Sequence, residues 1–223
     1  MKIRQFSLPG QYNMWCYVFN GWGQGIVGDG TTANQAWDTP LSGAQFGGRA
    51  GLNFVFNNEG MRPALGSEFL VSRNFPDSVQ GQFTYACVIN MNGMPRFTVG
   101  DDGSGFHGQR IKKDGKADDL IKSTDKHFRP ADPQIGPDGA LWFVDLYRGI
   151  AQYGQFMTAY LRAETLSRSL QDGIHYGRLY RVVSTAKQPA AFAHLSTETP
   201  AALVRRLGDT NGWVRDTAQR LLV

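Results

Sequence analysis

Apolar and polar residues alternate in short runs over most of the chain, and turn-forming residues separate these runs. Alternation with a period of two is typical of half-buried β-strands. The clearest unit spans residues 128–149, FRPADPQIGPDGALWFVDLYRG, and continues at residues 175–183 with HYGRLYRVV. Its first two apolar runs flank Pro137-Asp138-Gly139, which suits a type I turn with glycine in the left-handed position. This pattern predicts one blade of a β-propeller.

Further strands are predicted at residues 2–8, 14–19, 25–28, 67–71, 82–89 and 96–99. Residues 29–63 have weak periodicity and predict a long loop. Residues 101–105, DDGSG, favour a turn over a calcium loop because the spaced acidic ligands of an EF-hand are missing. A charged loop to Thr124 and a short helix within residues 152–172 complete the prediction. We therefore expect residues 1–185 to form an all-β, partial β-propeller of about two to three blades.

Residues 197–223 change to a helical pattern after a linker at residues 186–196. Thr199-Pro200 suits a helix start, with a hydroxyl at the N-cap and proline in the first turn. Two apolar stripes follow, at Leu203, Val204 and Leu207, and at Val214, Ala218, Leu221 and Leu222. Two short helices joined by DTNG are similar to a HEAT repeat. Because one such repeat cannot bury its own apolar face, we expect a truncated fragment of a longer protein.

Charge and composition narrow the function. The chain has 223 residues and a formal net charge of +4. Basic and acidic residues are interleaved between Arg110 and Arg129, which predicts a solvated loop and no nucleic-acid partner. The sequence has no membrane-spanning run of about 18 apolar residues. The N-terminus lacks the apolar core of a signal peptide, so we expect any export signal to lie upstream.

The cysteines and aromatic residues carry less specific signals. Cys16 and Cys87 lie in apolar runs without a CxxC or CxxCH spacing, so neither zinc nor covalent haem is predicted in this chain. Two buried free thiols are the favoured interpretation, with one disulfide as the alternative. An aromatic group is expected in the core, with a sugar platform as the alternative. Its members are Trp15, Tyr17, Phe19, Trp142 and Phe143.

Four segments, in order, carry a resemblance to a known family. They are EFLVSRNFPDSVQGQFTYACVI, TVGDDGSGF, FRPADPQIGPDGALWFVDLYRG and HYGRLYRVV. Together they resemble the C-terminal blades of glucose/sorbosone dehydrogenase-like propellers. NGWGQGIVGDG in front and LVRRLGDTNGWVRDTAQRLLV behind are similar to the propeller-to-HEAT junction of the proteins labelled membrane-bound dehydrogenases, which often carry a haem-binding CxxCH domain.

The resemblance implies a periplasmic sugar or alcohol dehydrogenase that uses pyrroloquinoline quinone (PQQ) with Ca²⁺. Electrons would pass to a cytochrome c domain, with haem c in a part of the protein outside this chain. The fragment alone is expected to be inactive, and we expect its unpaired strand edges to cause self-association. The alternative is a non-catalytic propeller that binds carbohydrate or protein and serves as a scaffold for HEAT and haem modules.

The resemblance also implies a cofactor site. Arg129 matches an arginine of the family just before the blade strand, whereas two further basic positions of the family are Ala131 and Ile89 here. A bound PQQ needs cationic side chains for its carboxylates. The alternative for Arg129 is an ion pair with Asp132 or Asp145.

Three more cofactor-binding candidates accompany Arg129: Asp145, Arg148 and Arg73. Convergence of these side chains on the propeller channel would favour the enzyme. No metal ligand and no catalytic base is predicted in this chain, although His127 is a conceivable base beside Arg129.

Overall fold

The computed structural model describes residues 13–39, 53–56, 59–151, 154–187 and 191–223. Short β-strands make up most of these residues. They are β1 (Met14–Phe19), β2 (Gly25–Asp29), β3 (Gln35–Asp38), β4 (Asn53–Phe56), β5 (Ala64–Phe69), β6 (Phe83–Cys87), β7 (Gly93–Met94), β8 (Arg96–Asp102), β9 (Gly105–Arg110), β10 (Lys112–Lys113), β11 (Lys116–Ala117), β12 (Ile121–Lys122), β13 (Pro130–Ile135), β14 (Leu141–Asp145) and β15 (Arg178–Val182). The helices are α1 (Ala159–Ser167), α2 (Pro200–Arg206) and α3 (Gly212–Leu222).

The strands pair antiparallel and form successive sheets along the chain. β1 to β4 form a four-stranded sheet in sequence order, and β13 to β15 form a three-stranded one. Between them lies a sheet of order β12-β7-β6-β8-β9, to which β5 adds by pairing with β6. The predicted fold class, all-β blades followed by a small helical pair, is confirmed. The strand predicted at residues 2–8 lies outside the described residues.

The turn between β13 and β14 forms as predicted. The N–H of Gly139 donates to the carbonyl of Gly136 at 2.9 Å, and the N–H of Gly136 donates to the carbonyl of Ala140 at 2.9 Å. Gly139 has φ +75°, a conformation that favours glycine because it has no Cβ. The blade therefore has a tight end at Pro137-Asp138-Gly139 and an open end at Arg129 and Asp145.

Two segments predicted as loops contain strands. β3 and β4 lie within residues 29–63, and β9 to β12 lie within the charged segment. β3 has no apolar alternation because two of its buried residues are polar, Gln35 and Asp38.

The turn at residues 101–105 is confirmed, since Asp102 pairs with Gly105 across the β8–β9 hairpin.

Two apolar clusters join the sheets. The first packs the four-stranded sheet on β5, β6 and β8, and includes Ile26, Phe56, Phe69, Phe83 and Phe97. The second packs the larger sheet on the last blade, and includes Leu70, Met94, Phe128, Leu141 and Phe143. Each blade thus buries its apolar face against its neighbour.

The two cysteines are buried free thiols, as the sequence favours. Three of the five aromatic residues expected in the core are exposed instead. Cys16 and Cys87 are free and buried. Trp15, Tyr17 and Phe19 are 56%, 40% and 57% exposed, so the expectation that they belong to the core is wrong. β1 is an edge strand whose alternation turns Cys16 inward and these three rings outward.

The helical pair packs on the last blade. Asn211 is buried, caps α3 by accepting a hydrogen bond from the N–H of Trp213, and donates to the carbonyl of Gly136 at 3.1 Å. The N–H of Gly212 donates to the carbonyl of Val71 at 2.9 Å. The start of α3 is therefore hydrogen-bonded to two elements of the β region.

Candidate functional site

The open end of the last blade brings charged residues together. Arg129 directly precedes β13, Asp145 ends β14 and Arg178 begins β15. In the strand register Asp145 pairs with Pro130 on one side and with Arg178 on the other. The three side chains thus come from adjacent strand ends.

The Asp145 carboxylate is buried, with 1% of the residue exposed. Its Oδ1 accepts hydrogen bonds from the backbone N–H groups of Arg129 and Tyr147, both at 2.8 Å. Its Oδ2 accepts no hydrogen bond from the described residues, and the Nη1 of Arg178 lies 3.8 Å away. One oxygen fixes the backbone, and the other is left for an ionic contact.

The Arg129 guanidinium is also buried. Its Nη2 donates to the carbonyl of Gly149 at 2.8 Å, and its Nη1 lies 3.4 Å from the carbonyl of Phe128. Its Nε has no acceptor among the described residues. Burial lowers the pKa of Arg129 because it penalises the charged form. The side chain is thus a desolvated cation whose hydrogen-bonding capacity is only partly used.

Aromatic rings surround the second arginine. The guanidinium carbon of Arg178 lies 3.7 Å from the centre of the Tyr147 ring. His127 stacks on the same ring at 5.2 Å, and Tyr176 meets it edge-on at 6.2 Å. Tyr147 has φ +47°, which is uncommon for a bulky residue and is fixed here by the Asp145 hydrogen bond. We call Arg129, Asp145, Tyr147 and Arg178 the arginine cluster.

The structure brings together only some of the predicted site residues. Arg129 and Asp145 meet through a backbone N–H, and no salt bridge joins the Arg129 guanidinium to a described carboxylate. Arg148 is exposed to solvent beside the cluster. Arg73 lies at the opposite end of the blade, since the side chains of its neighbours Ser72 and Asn74 donate to the Gly139 and Asp138 carbonyls of the tight turn.

The sequence analysis did not identify Arg178 as a site residue. It lies within the quoted segment HYGRLYRVV, but 32 residues separate it from Asp145, and α1 lies in that insertion. Only the pairing of β14 with β15 places it beside the carboxylate. Alternation along a strand predicts on which side of the sheet each side chain lies, but it does not predict which residue of the neighbouring strand it pairs with.

The described residues include no group of three or more His, Cys, Asp or Glu placed to hold a metal ion. In the same part of the chain, no helix has the length and apolar character needed to cross a bilayer. Two cavities lie away from the arginine cluster, near the β1–β2 turn.

Comparison with known proteins gives a family. Residues 33–186 match the family described as "Domain of unknown function (DUF7133)". The chain belongs to this family. No curated protein matches the DUF7133 chain in sequence.

Two solved structures are similar to the DUF7133 chain. One is a putative oxidoreductase (glucose dehydrogenase) from Thermus thermophilus, with a TM-score of 0.46 and 16% identity. The alignment covers 67% of this chain and 43% of that one. The other is named glucose dehydrogenase, with a TM-score of 0.39, 19% identity, and 61% and 38% coverage. The DUF7133 chain thus spans less than half the length of either structure.

Proposed function

We propose that this DUF7133 chain supplies part of the active site of a sugar or alcohol dehydrogenase, and that the arginine cluster is its contribution. The observation that carries the proposal is a pair of buried, incompletely satisfied polar atoms. They are the Nε of Arg129 and the Oδ2 of Asp145. Buried polar groups are normally hydrogen-bonded, so atoms left in this way at an open strand end indicate a place for a ligand.

The cluster fits an anionic, planar ligand such as PQQ, which the family resemblance implies. Guanidinium groups bind carboxylates with two parallel hydrogen bonds, and the Tyr147 ring packs against the Arg178 guanidinium and orients it. Arg178 provides a second cationic group, whereas the two further basic positions of the family are Ala131 and Ile89 here. When bound, PQQ would accept the two electrons removed from the hydroxylated carbon of the substrate.

Each residue has a separate role in this proposal. Arg129 and Arg178 hold the anionic groups of the ligand, and burial strengthens the contact of Arg129 because water does not screen it. Asp145 positions Arg129 and Tyr147 through their backbone N–H groups. His127 stacks on Tyr147 and holds that ring in place.

The remaining parts are proposed to come from elsewhere in the protein. These are the Ca²⁺ ligands, the catalytic base, and a cytochrome c domain that receives the electrons. We propose a periplasmic location, and we propose that α2 and α3 begin a HEAT array. Support for these parts comes from the resemblance of residues 20–30 and 203–223 to the propeller-to-HEAT junction.

A scaffold that binds carbohydrate or protein is the second candidate. It is favoured by the exposure of Tyr17 and Phe19 on β1, which the dehydrogenase proposal does not use. In that case the arginine cluster would be a structural feature of the last blade.

Dye-linked oxidation of aldoses and primary alcohols tests the choice. The complete reading frame that carries this chain would be purified, supplied with PQQ and Ca²⁺, and assayed with an artificial electron acceptor. We expect Arg129→Ala to reduce kcat/KM by at least tenfold. Arg168→Ala is the control, because Arg168 pairs with Glu164 on the surface of α1. Absence of activity in the wild type, or equal activity in Arg129→Ala, would favour the scaffold.

A further inference from the structure

A cleft runs beside the turn between β1 and β2. It consists of two adjoining cavities of about 360 and 590 Å³, which share Asn20, Gly21, Phe69 and Val71. These volumes are in the range of small-molecule sites. The cleft lies at the end of β5, beside α3 and Ile135, whereas the arginine cluster lies at the start of β13. The six residues of β13 separate the two places by about 20 Å. We call this groove the turn cleft.

Aromatic rings that a core would normally cover line the turn cleft. Tyr17, Phe19 and Trp22 are 40%, 57% and 89% exposed. The Tyr17 and Phe19 rings lie 5.1 Å apart and form one apolar surface. Exposed aromatic residues grouped in a concave site mark a binding surface more often than isolated ones do.

The turn that carries Trp22 is held rigid before any ligand binds. The side-chain oxygen of Asn20 accepts hydrogen bonds from the N–H groups of Trp22 and Gln24, at 2.9 and 3.0 Å. The side-chain amide of Asn20 donates to the Gln24 side chain at 2.7 Å. Because these hydrogen bonds fix the backbone of the turn, less backbone entropy is lost when a ligand packs on it.

Charges in the turn cleft nearly balance. Arg215 and Arg220 lie on one wall with Asp216, and Glu68 lies on the other. Asp101 lines the second cavity, and burial raises the pKa of Glu68 to about 7, which removes part of that group's negative charge near neutral pH. With neither sign in clear excess, the cleft suits a neutral ligand better than a polyanion or a cation.

One carboxylate faces the turn cleft from α3. Asp216 is exposed, lines the cleft and interacts electrostatically with Arg215. A carboxylate with free oxygens accepts hydrogen bonds from neighbouring hydroxyl groups. Aromatic faces together with such an acceptor suit a ligand that has apolar C–H faces and many hydroxyl groups.

We propose that the turn cleft binds a neutral carbohydrate, with Phe19 and Trp22 packed on sugar rings and Asp216 accepting hydrogen bonds from hydroxyl groups. The site is separate from the arginine cluster, so the proposal does not depend on the redox function. In the dehydrogenase it would tether a glycan to the propeller. In the scaffold it would be the carbohydrate site itself.

Calorimetric titration of the purified protein with neutral hexasaccharides tests this site. Cellohexaose, xylohexaose and mannohexaose are the probes. We expect at least one to bind saturably, and Phe19→Ala and Trp22→Ala each to weaken binding by about tenfold, as loss of a ring contact does. Trp15→Ala is the matched control, because Trp15 is exposed on the same strand but lies outside the cavities. Its affinity is expected to stay within about twofold of the wild type.

The proposals fail in different ways. Arg129→Ala should leave hexasaccharide binding intact, and Asp216→Asn should weaken binding without changing dye reduction. Circular dichroism melts identify variants that do not fold, and Phe19→Tyr is expected to restore binding where Phe19→Ala removes it. No saturable binding of any probe would overturn the site, as would equal loss in Trp15→Ala. A concentration-dependent dimer that Phe19→Ala dissociates would instead assign the cleft to a second copy of the chain.

Discussion

Glu68 joins two sheets with a single carboxylate. Its Oε2 accepts a hydrogen bond from the N–H of Ile135 in β13 at 2.9 Å, and its Oε1 accepts from the N–H of Phe69 at 2.8 Å. Burial raises its pKa to about 7, and the negative charges of Asp216 and Asp132 add to this effect. Glu68 is therefore a blade-to-blade contact that titrates near neutral pH.

The folded protein holds a proton on Glu68 more tightly than the unfolded chain does, so stability should fall as pH rises through about 7. Between pH 8 and pH 5 we expect the free energy of unfolding to increase by roughly 2 kcal/mol from this group. Urea unfolding at both values measures it. In Glu68→Gln the pH-dependent increment should be largely lost, because the amide does not titrate. An unchanged increment in that variant would contradict the assignment.

Two of the four residues of the arginine cluster could be predicted from the sequence. Arg129 was found by its match to a family motif and Asp145 by its place at a strand end. Arg178 was missed because its partner is known only once β14 and β15 are paired. The outward face of β1 was missed because aromatic residues on an edge strand alternate as core residues do.

At the scale of elements, Asn211 connects the helical pair to the last blade. It caps α3 and donates to the Gly136 carbonyl. Asn211→Ala should lower the free energy of unfolding by about 1–2 kcal/mol, since it removes a helix cap and one of the two hydrogen bonds that the Gly136 carbonyl accepts. Hydrogen exchange in residues 197–223 should accelerate.

Thr199→Ala is the matched control for this prediction. Thr199 caps α2 by accepting a hydrogen bond from the N–H of Ala202, and its side chain makes no hydrogen bond to the described residues of the β region. Loss of this cap in Thr199→Ala should lower the free energy of unfolding by about 1 kcal/mol. Equal exchange rates in the two variants would contradict a docking role for Asn211.

Elements with a strong local signal were predicted well. β1, β2, β13 and β14 follow apolar runs bounded by turns, and α2 and α3 follow their caps. β3 and the short strands β10 to β12 were missed because their residues are polar or charged. These strands form because neighbouring strands pair with them, and the local pattern of apolar and polar residues does not predict that pairing.

At the scale of the whole molecule, the last blade ends in an exposed edge. β15 pairs only with β14 among the described strands, and its Leu179 is 64% exposed. Such an edge can pair with another chain. We expect the 223-residue chain to self-associate, and Leu179→Lys to raise the monomer fraction in sedimentation velocity. A wild-type chain that stays monomeric at high concentration would contradict this prediction.

In the proposed dehydrogenase, Arg129 and Arg178 hold an anionic quinone at the open end of the last blade. The most direct measurement is the equilibrium binding of PQQ to the purified protein in its complete reading frame, followed by calorimetry with Ca²⁺ present. Saturable binding is predicted, weakened about tenfold or more by Arg129→Ala and by Arg178→Ala, as for a lost charge-assisted contact, and unchanged by Arg168→Ala. No binding, or equal affinity in all three variants, would contradict the account.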